Sequence, residues 1–186
     1  MAVAKVVNKI FSMLQDLQHS AYVQTCVANG LKLGRNVVVR NGVSFGSEPF
    51  LVEIGADSRV AAGVTFVTHS GATVNIRKLP GYEEVRNFGR IKIGKNSAIG
   101  QNSVILHNTE IGDNCFLGAN SVLSESMPSN TVYAGNPAKY ICEIEDYADV
   151  LKKETVPYPI ELENNRAALH HWLKENLDEN FKPSSV

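Results

Sequence analysis

Apolar residues in the middle of the chain recur at every sixth position. Five consecutive segments carry Asn at the fourth place: IGKNSA, IGQNSV, ILHNTE, IGDNCF and LGANSV, which begin at Ile93, Ile99, Ile105, Ile111 and Leu117. Five looser segments precede them: LGRNVV, VRNGVS, IGADSR, VAAGVT and FVTHSG. A period of six matches neither the period of an α-helix nor that of a plain strand. Repetition at a fixed short period predicts a repeat architecture.

Each place in the six-residue segment has its own chemistry. The first place holds a branched aliphatic or aromatic residue, which suits a strand side chain facing a narrow core. The second is usually Gly, which we expect where backbones pass closely. The fourth is Asn, Asp, Gly or His, the types that most readily enter left-handed backbone conformation, and the fifth is small. Each segment is therefore predicted to be a short strand and a tight turn, in coils that stack about 4.8 Å apart.

Both ends of the chain show helical spacing instead. Near the N-terminus, apolar residues at helical intervals are interrupted by Lys5, Lys9 and Asp16, which predicts an amphipathic helix rather than a signal peptide. We expect this helix to pack on the domain or on a neighbouring subunit, and a helix lying on a membrane surface is the alternative. Towards the C-terminus, a loop marked by Pro157 and Pro159 precedes a second helical pattern. The apolar positions of that pattern are Leu162, Ala168, Leu169, Trp172, Leu173 and Leu177.

These patterns predict the organisation of the chain. Residues 1–28 form an N-terminal helix and lead-in, residues 29–141 the repeat domain, and residues 142–186 a C-terminal helical extension. The repeat domain is interrupted once at length, because Phe66 and Ile93 are 27 residues apart, which is not a multiple of six. Residues 70–90 between them are polar and charged, which predicts a loop extruded from the coil.

His69 occupies the fourth, corner place of the last segment before this loop. From its position alone, His69 is either a solvated corner residue or a functional imidazole. Both interpretations place its side chain outside the core.

Composition narrows the class of protein. A chain of 186 residues is long enough for one domain with a sizeable core. Eighteen basic and nineteen acidic residues give a net charge of -1, and no Lys/Arg run stands out, which argues against a nucleic-acid partner. No apolar run approaches the roughly 18 residues that span a bilayer. Three scattered cysteines without a CxxC pair are typical of a reduced, cytoplasmic protein.

The five regular segments, followed by AGNPAKYI, resemble the hexapeptide-repeat acyltransferases, and within them the maltose, galactoside and polysaccharide O-acetyltransferases. The similarity covers about residues 31–141. The resemblance implies an all-β fold, a left-handed parallel β-helix with three segments per coil. It also implies a homotrimer with active sites between subunits, acetyl-CoA as acyl donor and a carbohydrate hydroxyl as acceptor. No metal is expected, because the close histidine pair of the family's metal-binding branch is missing from the sequence.

The resemblance also assigns roles to residues. The stretch LVEIGADSRVAAGVTFVTHSG aligns without gaps with the segment that carries the family's catalytic histidine. His69 is therefore expected to be the general base that takes the proton from the acceptor hydroxyl as its oxygen attacks the thioester carbon. Among the loop residues, Arg77 is the favoured acceptor contact, whereas His107 looks like a surface substitution. The residues expected to contact acetyl-CoA are Gln101, Ala119, Ser124 and Lys139.

The chain departs from the family pattern at two places. Glu125 stands where a Lys is usual, and a negative charge near the phosphates of CoA is unfavourable, so Lys139 or arginines of a neighbouring subunit would have to compensate. Ala98 stands where a Trp is common, which widens the expected donor groove.

Two other functions stay open at the level of sequence. One is N-acylation of an amino-sugar nucleotide on the same fold with the same base. The other is a non-catalytic β-solenoid used for assembly, although neither His69 nor AGNPAKYI would be needed there. For an enzyme, direct transfer in a ternary complex is favoured, because no Ser or Cys nucleophile has a visible base partner.

Overall fold

The computed structural model describes residues 2–154 and 159–177. The chain divides into two compact units, residues 1–147 and 148–186. The described strands all lie in the first unit. The helices are α1 (Ala2–Ala28), a single-turn α2 (Thr73–Ile76), α3 (Ile144–Glu154) and α4 (Arg166–Asn176), with 3-10 turns at Pro49–Leu51 and Ile160–Leu162.

Short strands from successive turns of the chain build three sheets. The first sheet contains, in spatial order, β1 (Lys32–Leu33), β3 (Val52–Ile54), β6 (Ile91–Ile93) and β9 (Thr109–Ile111). The second contains β2 (Val38–Val39), β4 (Arg59–Val60), β7 (Ala98–Ile99), β10 (Phe116–Leu117), β12 (Thr131–Gly135) and β13 (Ala138–Glu143). The third contains β5 (Thr65–Val67), β8 (Val104–Leu106) and β11 (Val122–Leu123).

The strands form a three-sided parallel coil. Ile93 pairs with Ile111 and Ile99 pairs with Leu117, so one coil takes three six-residue segments. All strand pairs are parallel except the hairpin of β12 and β13. The period predicted stacked coils and the family resemblance implied that they are parallel, whereas the closing hairpin was not predicted. Helices α1, α3 and α4 are additional to the strands of the coil, so the all-β description applies to the coil alone.

The places of the segment have the predicted positions. First-place side chains fill the interior of the coil; those less than 2% exposed include Ile54, Val60, Phe66, Ile93, Ile105, Ile111, Leu117 and Leu123. Fifth-place residues also point inward, and their hydroxyls bond to the next coil. Ser58 Oγ donates to the Gly94 carbonyl at 2.8 Å, and Ser97 Oγ donates to the Gly112 carbonyl at 2.9 Å. The polar side chains at the corners therefore have hydrogen-bond partners within the coil.

The fourth place adopts left-handed backbone, as the sequence predicts. The non-glycine residues with positive φ are Asn36, Asp57, Asn96, Asn102, Asn108, Asn114, Asn120 and Asn130. At one corner their amides form a ladder: Asn96 Nδ2 donates to Asn114 Oδ1, and Asn114 Nδ2 donates to Asn130 Oδ1, both at 2.9 Å. The second-place glycines allow close stacking, since a Cβ on Gly55 would lie 2.6 Å from the Gly94 carbonyl carbon.

The N-terminal helix covers the first coil. Helix α1 ends in a Schellman motif at Gly30 (φ 95°), where the Leu31 N–H donates to the Cys26 carbonyl at 2.9 Å. Its contacts to the coil come from its C-terminal half. Tyr22 accepts a hydrogen bond from the Phe45 N–H at 2.9 Å, and their rings stack with centroids 6.3 Å apart.

The C-terminal part contains one helix that was predicted and one that was not. Helix α4 matches the predicted pattern, and the Asn165 side chain caps it by accepting from the Ala168 N–H at 3.1 Å. Helix α3 was missed, although its acidic first turn and basic last turn complement the helix dipole. Within the first unit, Tyr147 of α3 stacks on Phe116 with ring centroids 5.4 Å apart. Pro157 lies outside the described residues.

Candidate active site

Two interruptions of the coil meet at the corner between the third and the first sheet. The long loop leaves the second coil after His69. On the first coil, Phe45 and Ile54 are nine residues apart instead of six, so a shorter insertion leaves at the same corner. Ser44 bridges Thr65 in parallel, and this register places Glu48 beside His69. Glu48 was not predicted from the sequence, although the nine-residue spacing marks the insertion that contains it.

Glu48 and His69 form a short hydrogen bond. His69 Nδ1 lies 2.8 Å from Glu48 Oε2, and the hydroxyl of Thr68 donates to the same oxygen at 2.6 Å. The side chain of Glu48 is 18% exposed and that of His69 40% exposed. Because an ionised carboxylate only accepts, this contact places the proton of a neutral imidazole on Nδ1. Nε2 then carries the lone pair, and it has no hydrogen-bond partner among the described residues.

The surroundings keep Glu48 ionised. The hydrogen bond from Thr68 lowers the pKa of the Glu48 carboxyl below its ordinary value of 4.5, and the hydrogen bond and charge of His69 act in the same direction. Partial burial opposes them by raising the pKa, but the net direction is down. A carboxylate that stays charged both orients the imidazole and stabilises it once it has taken up a proton.

The loop is closed at its root, beside His69. The Ser70 N–H donates to the Asn87 carbonyl at 3.0 Å, and the Gly89 N–H donates to the Thr68 carbonyl at 2.9 Å. His69 forms an antiparallel bridge with Phe88, and their rings lie 5.5 Å apart. His69 is also absent from the residues with positive φ, unlike the Asn residues at the same place in other segments. The expectation of a corner histidine is therefore correct for its exposure, but here the backbone turns into the loop.

The four residues expected to contact the donor do not share one corner. Gln101 follows β7 and Ala119 follows β10, so both lie where the second sheet leads into the third, and the Asn120 N–H donates to the Gln101 carbonyl at 2.8 Å. Ser124 follows β11, at the same corner as His69 but on a later coil. Lys139 lies on β13, and its ammonium is 3.2 Å from Glu125, the residue after Ser124. Ser124 is thus separated from Gln101 and Ala119. Lys139 pairs with Ala134 in the second sheet, close to Gly118 and Ala119, and only its ammonium reaches towards Ser124.

The loop residues mostly contact their own backbone. Arg86 donates to the carbonyls of Glu83 and Val85 at 3.1 and 2.9 Å, and the Glu83 carboxylate accepts from the Gly81 N–H. Arg77 directly follows α2 and is half-buried. None of these contacts orients a loop side chain towards His69.

His107 is less exposed than the sequence suggested. Val67 pairs with Leu106, so His107 lies on the neighbouring coil beside Thr68. It is half-buried, and its Nδ1 is buried without a hydrogen-bond partner among the described residues. The interpretation of His107 as a surface substitution accounts for only part of its side chain, because Nδ1 is buried.

A groove runs along the outer face of the first sheet from this corner. Its volume is about 420 Å³, and its walls include Leu51, three residues after Glu48, and Arg90, which follows the loop. Across its floor, the charged side chains of the first sheet alternate in sign. Lys32 pairs with Glu53 at 3.5 Å, and Lys92 pairs with Glu110 at 2.7 Å. The groove therefore offers a polar surface with both donors and acceptors. Within residues 2–154 and 159–177, no group of three or more His, Cys, Asp or Glu side chains could hold a metal ion, and no helix could cross a membrane.

Comparison with known proteins identifies the repeat. Residues 90–125 match the family model described as bacterial transferase hexapeptide (six repeats). Protein CapG of Staphylococcus aureus is 42% identical over 135 residues, which are 72% of this chain and 77% of CapG. The chain belongs to the hexapeptide-repeat acyltransferases. The family predicted from the segments and from AGNPAKYI is thus confirmed.

Solved structures of the hexapeptide-repeat acyltransferases share the fold. A hexapeptide-repeat-containing acetyltransferase from Vibrio cholerae superposes with a TM-score of 0.53 at 18% identity, covering 68% of this chain and 81% of that one. A maltose O-acetyltransferase from Clostridium difficile superposes with a TM-score of 0.50 at 22% identity, covering 60% and 68%. At these identities the likeness is one of fold.

Proposed function

We propose that this acyltransferase moves an acetyl group from acetyl-CoA to a carbohydrate hydroxyl, with His69 as general base. The observation that carries the proposal is the contact of His69 Nδ1 with Glu48 at 2.8 Å, which leaves Nε2 available outside the core. Nε2 takes the proton of the acceptor hydroxyl while the oxygen attacks the thioester carbonyl. The C–S bond then breaks, and the proton passes to the departing thiolate of CoA. A base positioned in this way contributes about 10²–10⁴-fold.

Two observations support a carbohydrate acceptor. The sequence resembles the maltose, galactoside and polysaccharide O-acetyltransferases over most of the coil. The groove that starts at the corner of His69 is lined by charged and polar side chains together with Phe50 and Leu51, so it offers a sugar both hydrogen bonds and apolar contacts. We expect this acceptor to be met in the cytoplasm.

The two-corner arrangement of the expected donor residues supports an assembly of chains. Gln101 and Ala119 lie at a different corner from His69, so one chain alone does not bring all of them to the base. In a homotrimer of parallel three-sided coils, the corner of one subunit that carries His69 can face the corner of the next subunit that carries Gln101 and Ala119. We therefore infer that acetyl-CoA lies between subunits of a left-handed β-helical trimer, as the family resemblance implies.

The test is acetyl-CoA turnover, followed by release of free thiol, against sugars, amino-sugar nucleotides and bacterial polysaccharides. We expect turnover with a hydroxyl acceptor and a loss of about 10²–10⁴-fold in kcat for His69→Ala. His171→Ala is the matched control, because His171 is an exposed histidine that also pairs with a glutamate, Glu175, at 3.2 Å. If only amino-sugar nucleotides were turned over, the proposed O-acetylation would have to be replaced by N-acylation. Unchanged turnover in His69→Ala would end the proposed mechanism.

A further inference from the structure

The outer face of the second sheet carries two arginines without partners. Arg40 follows β2 on the first coil and Arg59 lies on β4 of the second coil, and both residues are exposed. Neither guanidinium has a hydrogen-bond or ion-pair partner among the described residues. In the groove of the first sheet, by contrast, two lysines are each paired with a glutamate. The second sheet thus presents positive charge that the rest of the chain does not neutralise.

The two arginines converge on one pocket. Arg59 pairs with Val38 on the neighbouring strand, so Arg40 lies diagonally across, two residues further along that strand. The spacing and rise of the strands put the two Cα atoms about 8 Å apart. Both arginines line a pocket of about 290 Å³, whose walls also include Ala98 and Phe116. Ala98 is the neighbour of Arg59 on its other side, and its small side chain leaves this space open.

No acidic side chain among the described residues neutralises the pocket. None of the residues that line it is acidic. Asp57, two residues before Arg59, accepts a hydrogen bond from Asn36 Nδ2 at 2.9 Å, and Asp16 of α1 accepts from Asn41 Nδ2 at 3.0 Å. Two like charges therefore share one concave surface, where they repel each other. An anion that accepts from both guanidiniums removes this repulsion.

The pocket suits an anionic group that belongs to a larger molecule. A guanidinium presents its N–H donors as a planar fork that matches the oxygens of a carboxylate or a phosphate. The wall formed by Ala98, Ile99 and Phe116 is apolar and offers contact to the rest of the ligand. A volume of about 290 Å³ is close to the lower end of the range of about 300–1,000 Å³ for small-molecule sites.

The position of the pocket along the axis of the coil separates its arginines from the donor. Gln101 and Ala119, which are proposed to contact acetyl-CoA, lie on the third and fourth coils, whereas the arginines lie on the first and second. The pocket extends to Gly100, next to Gln101. In the proposed trimer, this corner faces the base of a neighbouring subunit. The donor runs from there towards the later coils, which leaves the arginines to the acceptor.

We propose that Arg40 and Arg59 bind the negative charge of an acidic acceptor sugar, carried by a carboxylate or a phosphate. This inference rests on the proposed function and specifies its substrate class, an anionic rather than a neutral carbohydrate. The two arginines position the acceptor so that one of its hydroxyls reaches His69, and they take no part in the proton transfer.

Equilibrium binding tests the anion site without any turnover. The probes are trigalacturonic acid for a carboxylate, UDP-glucose for a phosphate and maltotriose as the neutral reference, titrated by calorimetry. We expect at least one anionic probe to bind about tenfold more tightly than maltotriose, and Arg40→Gln/Arg59→Gln to lose this difference. Which anionic probe binds identifies the source of the charge. Arg35→Gln is the matched control, because Arg35 is an exposed arginine at the corner between the first and second sheets.

Kinetics with an acceptor found by the turnover screen then test the assignment to the acceptor. The double variant should raise KM for the acceptor about tenfold, while kcat and the KM for acetyl-CoA stay unchanged. A raised KM for acetyl-CoA alone would assign the arginines to the donor and overturn the proposal.

Three further results would also overturn the proposal: equal binding of all three probes, an equal loss of binding in Arg35→Gln, or a neutral acceptor whose KM the double variant leaves unchanged. Since the binding measurement needs no acetyl transfer, an intact anion site in a protein without turnover would refute the proposed function and not the site.

Discussion

Replacing Glu48 by Gln removes one charge at the candidate site and almost no volume. In the native protein, Glu48 lies 2.8 Å from His69 Nδ1 and holds the neutral ring with its lone pair on Nε2. A glutamine can accept the same hydrogen bond through its oxygen, but it cannot balance the positive charge of the imidazolium that the proposed proton transfer forms. The variant therefore isolates the electrostatic part of the contact.

The magnitude follows from distance and exposure. Two unit charges about 4 Å apart interact by about 1 kcal/mol in water and about 4 kcal/mol at an effective dielectric constant of 20. The side chain of His69 is 40% exposed, so solvent screens part of this interaction. A loss of about 1.5–3 kcal/mol corresponds to a fall of roughly 10- to 150-fold in kcat, since each 1.4 kcal/mol is a factor of ten.

The assay compares kcat and KM of Glu48→Gln with those of Glu175→Gln. The control removes the same charge from another histidine–glutamate pair, His171 and Glu175, which are 3.2 Å apart on the exposed face of α4. We expect a lower kcat in Glu48→Gln with little change in KM for the acceptor, and no change in the control. If KM rose while kcat stayed the same, Glu48 would contact the acceptor rather than support the base. Equal kcat values in the two variants would refute the reasoning outright.

Further predictions concern stability, pH and the donor. Asn114→Ala should lower the free energy of unfolding by about 1–3 kcal/mol, because left-handed backbone costs an L-residue about 1–2 kcal/mol and two amide hydrogen bonds are lost. Asn114→Gly, which avoids the backbone strain, should cost less in the same denaturant titration. The lowered pKa of Glu48 means that its contribution to stability is fully present above its ordinary value of 4.5 and is lost as pH falls through the folded-state value. Unfolding curves of wild type and Thr68→Val should therefore converge at acid pH. Glu125→Gln should lower KM for acetyl-CoA by about 1.5- to 5-fold by releasing Lys139, whereas Lys139→Gln should raise KM.

The coil was predictable because each place in the repeat has one physical role. Three residue types recur along the coil: an inward aliphatic residue, a close-packed Gly and an Asn with left-handed backbone. They recur often enough that a single sequence reveals their structural roles. Asn114 and Gly94 occupy their corners as the period requires. Helix α4 was predictable for a similar reason, since its apolar spacing is regular.

The features that were not predicted depend on single contacts between residues rather than on a repeated pattern. Glu48 belongs to an irregular stretch, and only the register of neighbouring coils brings it to His69. His107 likewise lies beside Thr68 only because of the register of neighbouring coils. The orientation of α1 was also hidden, because an amphipathic pattern predicts an apolar face without stating which side the rest of the protein will cover. Here Asp16 and His19 dock the polar side.

The candidate site exists because two irregularities share one corner. In a parallel coil, residues at equivalent places on successive turns are neighbours at the strand spacing of about 4.8 Å. A side chain that leaves the repeat at a corner can therefore meet only what leaves at the same corner one coil earlier or later. The insertion after Phe45 and the loop after His69 satisfy this condition, and the hydrogen bond between Glu48 and His69 results. Had the shorter insertion occurred at either of the other corners, Glu48 would lie at a different edge of the prism, and Nδ1 of the histidine would have no carboxylate to fix its proton. The proposed chemistry of this chain thus depends on where its repeat is broken, and the intact segments keep the two insertions at the same corner.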